Sequence, residues 1–290
     1  MKSFSPVAFG ALLVGGMAIG FAGILMRLSD VNPIASAFWR MALAAPLLWA
    51  WAFATARNDA AAGLRTDLSR MLVLSGVFFA GDLAIWHLAL HYTTVANATL
   101  LSNMTPLFIA IWLFFVYKTR FSNGFLTGMA VALIGAVLLI GPSASTSPTQ
   151  LMGDGLGFFS AVFYAGYQLV IKDCRESYST ARLMAWSTTI SAVILLPLAL
   201  LMPGPFLPPH AEGWIPLLAL ALVAQIGGQT VIAYAFAHLP ASLASVSLLI
   251  QPLTAALAAL AIFGERIGPW QIVGGALLLC GIYLSKRNST

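Results

Sequence analysis

Charge is what this sequence has least of. Asp, Glu, Lys and Arg make up 8% of its 290 residues, against roughly 25% in soluble domains. Cysteine is scarce too. Cys174 and Cys280 lie far apart, in or near apolar runs, and give neither a disulfide framework nor a metal-binding spacing. The signatures of common enzymes are missing: G-x-S-x-G, H-E-x-x-H, a Walker loop and G-x-G-x-x-G are not found. Gly153, Gly155 and Gly157 open an apolar run and follow no strand. ATP-driven work and hydrolytic chemistry therefore have no support, no catalytic residue is assigned, and no cofactor or metal is called for. Alternation of apolar and polar residues, the mark of a β-barrel span, is absent as well.

What is there is apolar length. Sixty per cent of the chain is hydrophobic, in runs that match the ~20 residues a membrane helix needs. Ten runs are expected as spans, near residues 7–26, 34–54, 71–90, 95–116, 125–140, 154–171, 183–202, 214–236, 241–263 and 269–285. The first is too long for a secretory leader and is read as an uncleaved span. Numbering the loops alternately places Lys2, Arg57, Arg65, Arg70, Lys118, Arg120, Lys172, Arg175, Arg182, Lys286 and Arg287 on one side. Arg27 and Arg266 fall on the other, and Arg40 alone falls inside a span. Basic loops stay in the cytoplasm, so both termini are expected there. The net charge of +5 is then a consequence of topology, and nucleic acid is not an expected partner.

The chain also looks written twice. Ala98, Pro106, Leu107, Ala110, Arg120, Gly128, Gly135 and Leu138 return 146 residues later, without a gap, as Ala244, Pro252, Leu253, Ala256, Arg266, Gly274, Gly281 and Leu284. Five spans per half is an odd number, so the second half must enter the membrane upside down. The expectation is an all-α polytopic membrane protein of ten helices in two inverted five-helix repeats: residues 1–141, an outer linker over 142–153, and residues 154–290. Inverted repeats of this kind build secondary transporters, with the substrate near the midplane between the copies.

Polar residues inside such spans mark candidate sites, because burying them is costly. Asp82 lies deep in the third span, with Phe79 and Trp86 on its face at helical spacing. Asp82 either lines a cavity or pairs with Arg40 or His87. The repeat carries the third span onto the eighth, where Gln225 and Gln229 stand at i, i+4 on one face around Gly227–Gly228. Each amide needs a partner, either a ligand or another helix. In the sixth span Tyr164, Tyr167 and Gln168 share a face and are too deep for an interfacial belt. Pro106 and Pro252 break the backbone hydrogen bonding at equivalent places and could serve as paired bends or static kinks. Glu265 has no acidic counterpart in the first half and is a third candidate gating residue. His87 and His91 have the spacing of a metal pair but no further ligands. The glycines at 128, 135, 274 and 281 make a smooth seam, so the fifth and tenth spans are expected to be scaffold.

The two five-span halves, the Pro106 and Pro252 segments, the Gly264–Arg266 turn and the Gly274/Gly281 helix resemble the EamA-type transporters of the drug/metabolite transporter superfamily. Within it, the chain resembles the YddG-type aromatic amino-acid exporters of the bacterial inner membrane. That resemblance implies a cavity lined by spans 1, 3, 4, 6, 8 and 9. Cargo is expected to be a small neutral amphipathic metabolite, foremost an aromatic or other neutral amino acid, since rings and amides suit a flat zwitterion and a phosphate would want more buried cations. Multidrug efflux, an uptake carrier and, more remotely, an intramembrane enzyme stay open. So do proton antiport through Asp82 and facilitated diffusion. The partners implied are the small-molecule cargo and the lipid bilayer, and a monomer is compatible with the sequence.

Overall fold

In a computed structural model, residues 5–93, 95–140, 147–264 and 268–288 are described. Among them there are only helices and connections, and no strand. Several helices start where the sequence spells a cap followed by proline. Ser5, Asn32 and Ser147 each accept from a first-turn N–H, and Pro6, Pro33 and Pro148 occupy the position whose N–H would go unused. In chain order these are α1 (Pro6–Gly20), α2 (Ala22–Arg27), α3 (Pro33–Ala54), α4 (Ala56–Ala61), α5 (Arg70–Tyr92), α6 (Val95–Ser102), α7 (Thr105–Tyr117) and α8 (Asn123–Ile140). Then follow α9 (Pro148–Cys174), α10 (Thr180–Leu201), α11 (Trp214–Ala219), a π-helical segment (Leu220–Gln229), α12 (Thr230–Phe236), α13 (Ala241–Ser247), α14 (Ile250–Phe263) and α15 (Pro269–Arg287).

Seven helical stretches are long and apolar enough to cross a membrane, and Asn123–Leu139 is a shorter apolar helix. The outer surface suits such a setting. Phe115, Leu201 and Ile215, which a soluble protein would bury, are exposed.

The fourth and ninth expected spans are not single bent helices. The fourth breaks between Ser102 and Thr105, which places Pro106 in the first turn of α7. There its missing N–H leaves no bond unmade. The turn is hydrogen-bonded in its own right: Asn103 Nδ2 donates to Thr99 O at 2.7 Å and Thr105 Oγ1 to Ser102 O at 2.8 Å. The ninth breaks at the equivalent place, between Ser247 and Ile250, just before Pro252. The eighth is interrupted by the π segment, a winding with i→i+5 bonds that recurs at functional sites.

The most extensive pairings are α8 with α15, α5 with α9 and α3 with α10, and α1 lies against the π segment, α13 and α14. The glycine seam lies between α8 and α15. A Cβ on Gly135 would stand 2.3 Å from Leu278 N, and one on Gly281 2.3 Å from Ala132 N. The two backbones touch, antiparallel. Glu265, Arg266 and residues 142–146 of the expected linker lie outside the described residues.

Candidate functional site

A cavity of about 210 Å³ opens among the helices. One wall is α5, which presents Phe79, Asp82, Leu83 and Trp86. Tyr164 comes from α9, Gln229 from the end of the π segment, Gln251 and Pro252 from α14, and Arg40 from α3. Towards one end the lining becomes Ile24 and Arg27 of α2 and Gln271 of α15.

Five of the eight expected binding residues thus meet around one space: Phe79, Asp82, Trp86, Tyr164 and Gln229. The other three do not line it. Tyr167 lies behind Phe79, with ring centroids 4.4 Å apart and nearly parallel planes, and its hydroxyl donates to Met184 Sδ at 3.7 Å. Gln225 is held away by two bonds, accepting from Arg40 Nε at 3.2 Å and donating to Thr188 Oγ1 at 2.9 Å. Gln229, one helical turn on, reaches the cavity, and Gln225 does not. Gln168 is buried one turn beyond Tyr164, and neither end of its amide has a hydrogen-bond partner.

Asp82 pairs with neither Arg40 nor His87. Its Oδ1 accepts from Ser160 Oγ at 2.6 Å, a residue of α9, and His87 Nδ1 sits 2.7 Å from Leu83 O on its own helix. Arg40 is a site residue that the sequence left unassigned. It is 3% exposed, and its guanidinium carbon lies 5.7 Å from the centre of the Phe79 ring. The available signal was its isolation as the one cation inside a span. Gln251 and Gln271 are further additions. Gln271 shows that α15 contributes to the lining, and Arg40 that α3 does, so the lining is wider than spans 1, 3, 4, 6, 8 and 9.

The lining carries an excess of unmet hydrogen-bonding capacity. Arg40 Nη2, Gln229 Oε1 and Gln251 Nε2 are buried without partners. The Tyr164 hydroxyl sits beside Gln229 and Gln251 yet makes no well-aligned bond to either. Buried polar groups are nearly always satisfied, and the Tyr164 hydroxyl with its two neighbouring amides forms the polar cluster of the lining.

Below the cavity the residues close up. Tyr164, Gln168 and Lys172 follow one another at i, i+4 along α9, a polar stripe on one face. At its end Lys172 Nζ donates to Phe236 O at 2.7 Å and to Leu239 O at 2.8 Å. Those carbonyls lie at the C-terminal end of α12, where intrahelical donors run out and a cation is favoured.

The sequence model described as the EamA-like transporter family matches residues 7–141 and again 151–287. Among relatives, the chain is 28% identical over 274 residues to an uncharacterized transporter of Archaeoglobus fulgidus, covering 92% of each chain. It is 26% identical over 178 residues to the pseudopaline exporter CntI of Pseudomonas aeruginosa, 61% of each chain. It is 24% identical over 286 residues to a probable terminal-alkyne amino-acid exporter of Streptantibioticus cattleyicolor, covering 97% of this chain and 89% of that one. A crystal structure 16% identical in sequence superposes with a TM-score of 0.80 over 98% of both chains, which shows the shared fold.

Proposed function

This chain belongs to the EamA-like transporter family, and we propose that it is an inner-membrane exporter of small neutral amphipathic metabolites, aromatic or other neutral amino acids foremost. Its architecture is then ten membrane helices in two inverted repeats, residues 1–141 and 154–290, joined by an outer linker over 142–153. The family match, once in each half, supports this. So does the helix pairing, which survives exchange of the halves. Shifting by 146 residues turns the α5–α9 pair into the π segment with α1, and leaves α8–α15 and α3–α10 paired as before.

The cavity carries the functional reading. Its walls combine three aromatic rings (Phe79, Trp86 and Tyr164), one acid, two arginines (Arg27 and Arg40) and four amides (Asn103, Gln229, Gln251 and Gln271), which is what a zwitterion with an apolar side chain would use. At about 210 Å³ it is smaller than the roughly 300–1,000 Å³ of drug-sized sites, which favours a metabolite over a multidrug cargo. One relative is named as an amino-acid exporter and another as an exporter, which supports both the cargo class and the direction.

On this reading both termini lie in the cytoplasm, as the loop charges favour. The cavity then runs towards Arg27 and Gln271, on the side with few basic residues, and is closed on the cytoplasmic side by the α9 stripe and Lys172. This is an outward-facing state. Transport proceeds by alternating access, with the breaks before Pro106 and Pro252 as the bends. Glu265 stands as a third gating residue at the outer end.

Uptake of each of the twenty amino acids into liposomes tests this directly. Wild type is expected to carry aromatic and other neutral amino acids. Trp86→Ala is expected to lower aromatic uptake by about tenfold to a hundredfold, the equivalent of losing one large buried contact of ~1.5–3 kcal/mol. If no amino acid passes, the function is wrong. If aromatic cargo passes the variant unimpeded, the site is wrong.

Asp82→Asn keeps the shape and removes the charge. Uptake of neutral amino acids is expected to fall about tenfold or more with equal pH on both sides, as the cargo's ammonium loses a charge-assisted partner. Transport indifferent to both this change and an imposed pH gradient would remove Asp82 from the path.

A further inference from the structure

The cavity keeps two opposite charges apart. Asp82 is tied to Ser160 on α9 and makes no ion pair with Arg40. Arg40 is tied instead to Gln225, which is itself anchored on Thr188 of α10. Two charges in one low-dielectric space would ordinarily collapse onto each other. Here each is steered by hydrogen bonds from behind.

The steering of Arg40 is specific. Gln225 takes up Nε, and the ring of Phe79 lies under the guanidinium plane at 5.7 Å. What remains is the Nη1–Nη2 edge, of which Nη2 is buried without a partner. That edge is the fork that receives a carboxylate through two parallel hydrogen bonds. Gln251 Nε2, also unpartnered and also on the cavity lining, is a further donor to the same anionic group.

We propose that Arg40 recognises the carboxylate of the cargo and Asp82 its ammonium, with Gln225 as the positioning residue that turns the guanidinium edge to the cavity. This rests on the amino-acid reading above and narrows it. The cargo must carry a free carboxylate and a free ammonium, and amides, esters and simple amines with the same side chain are rejected. Gln225 touches no cargo. It acts through Arg40, and its π-helical segment sets its place.

The test compares each amino acid with its own amide, which keeps the side chain and ammonium and loses only the carboxylate. L-phenylalanine and L-leucine, with L-phenylalaninamide and L-leucinamide, compete for counterflow of the labelled amino acids in liposomes holding the full chain. Thermal stabilisation of the detergent-solubilised protein by the same four compounds gives a readout independent of transport. Wild type is expected to prefer each acid over its amide by about tenfold or more, since a buried donor left unpaired penalises the wrong ligand. Arg40→Gln should bring that ratio close to one, and Arg40→Lys should restore part of it. Gln225→Leu should lower the ratio without abolishing it. A wild-type ratio near one overturns the assignment, even where the Arg40 variants fail to fold. An Arg40→Gln protein that keeps the wild-type ratio overturns it too, while leaving amino-acid transport standing. Wild type that carries neither acid nor amide, and is stabilised by neither, overturns the transport reading itself.

Discussion

Gly135→Leu is expected to abolish a stable fold in detergent. A single Cβ at that position would lie 2.3 Å from Leu278 N and 2.7 Å from Gly274 O. Both obstacles are main chain, so no rotamer change relieves them, and α8 must separate from α15 along its length. Overpacking a core with extra methylenes costs about 1–3 kcal/mol where side chains can yield. Here they cannot, and the loss should exceed that range. The partner position behaves alike, since a Cβ on Gly281 would meet Ala132 N at 2.3 Å. Gly155→Leu is the control, because nothing stands within 4 Å of a Cβ there. Thermal unfolding of the purified proteins should show a large drop in Tm for the first two and little change for the third. A Gly135→Leu protein with wild-type Tm would mean that the seam is not the contact described.

Lys172→Ala is expected to open the cytoplasmic half of the path. The ammonium holds α9 to the end of α12 through two charge-assisted bonds. Hydrogen bonds to charged groups are worth ~1.5–3 kcal/mol each, so losing both should shift the balance of states by about tenfold or more. The reporter is Gln168→Cys, with Cys174 and Cys280 replaced by serine to remove background. Gln168 is 1% exposed, so a thiol there should react slowly with a reagent added from the cytoplasmic side. In the Lys172→Ala background it should react at least about tenfold faster, following the same shift in balance. Equal rates would reduce Lys172 to a helix cap with no gating role.

Much of this architecture could be read from residue order alone. The length of the apolar runs gave an all-helical membrane protein, and the spacing of Gly128, Gly135, Gly274 and Gly281 gave a seam for close helix packing. Phe79, Asp82 and Trp86 were placed on one face because α5 is an uninterrupted helix. In the eighth span the same periodicity fell short, because Gln225 is held aside by Arg40 and Thr188. Gln225 and Gln229 share a face on paper and part in space. Tyr167 was placed with Tyr164 correctly, but helix period cannot tell the cavity side of a ring from the side behind Phe79. Arg40 was left without a role because the amide that holds it lies 185 residues away at Gln225. Hydropathy alone also passes over polar helices. α9, with its glycines, tyrosines and glutamines, is not among the seven apolar stretches, because much of it faces other helices and the cavity rather than lipid.

The π segment has a mechanical consequence. Its ten residues are wound more loosely than the helices that flank it, and so they hold slack. Were the segment to tighten by one residue into α geometry, the helix beyond it would turn by about 100°, since 3.6 residues complete a turn. Gln229 would be carried off the cavity wall and α12 would rotate under Lys172. Gln225, upstream in the same segment, would keep its grip on Arg40. The eighth span can thus act as a screw with a fixed head. Such a turn would change the cavity wall and the contact with Lys172 in one movement.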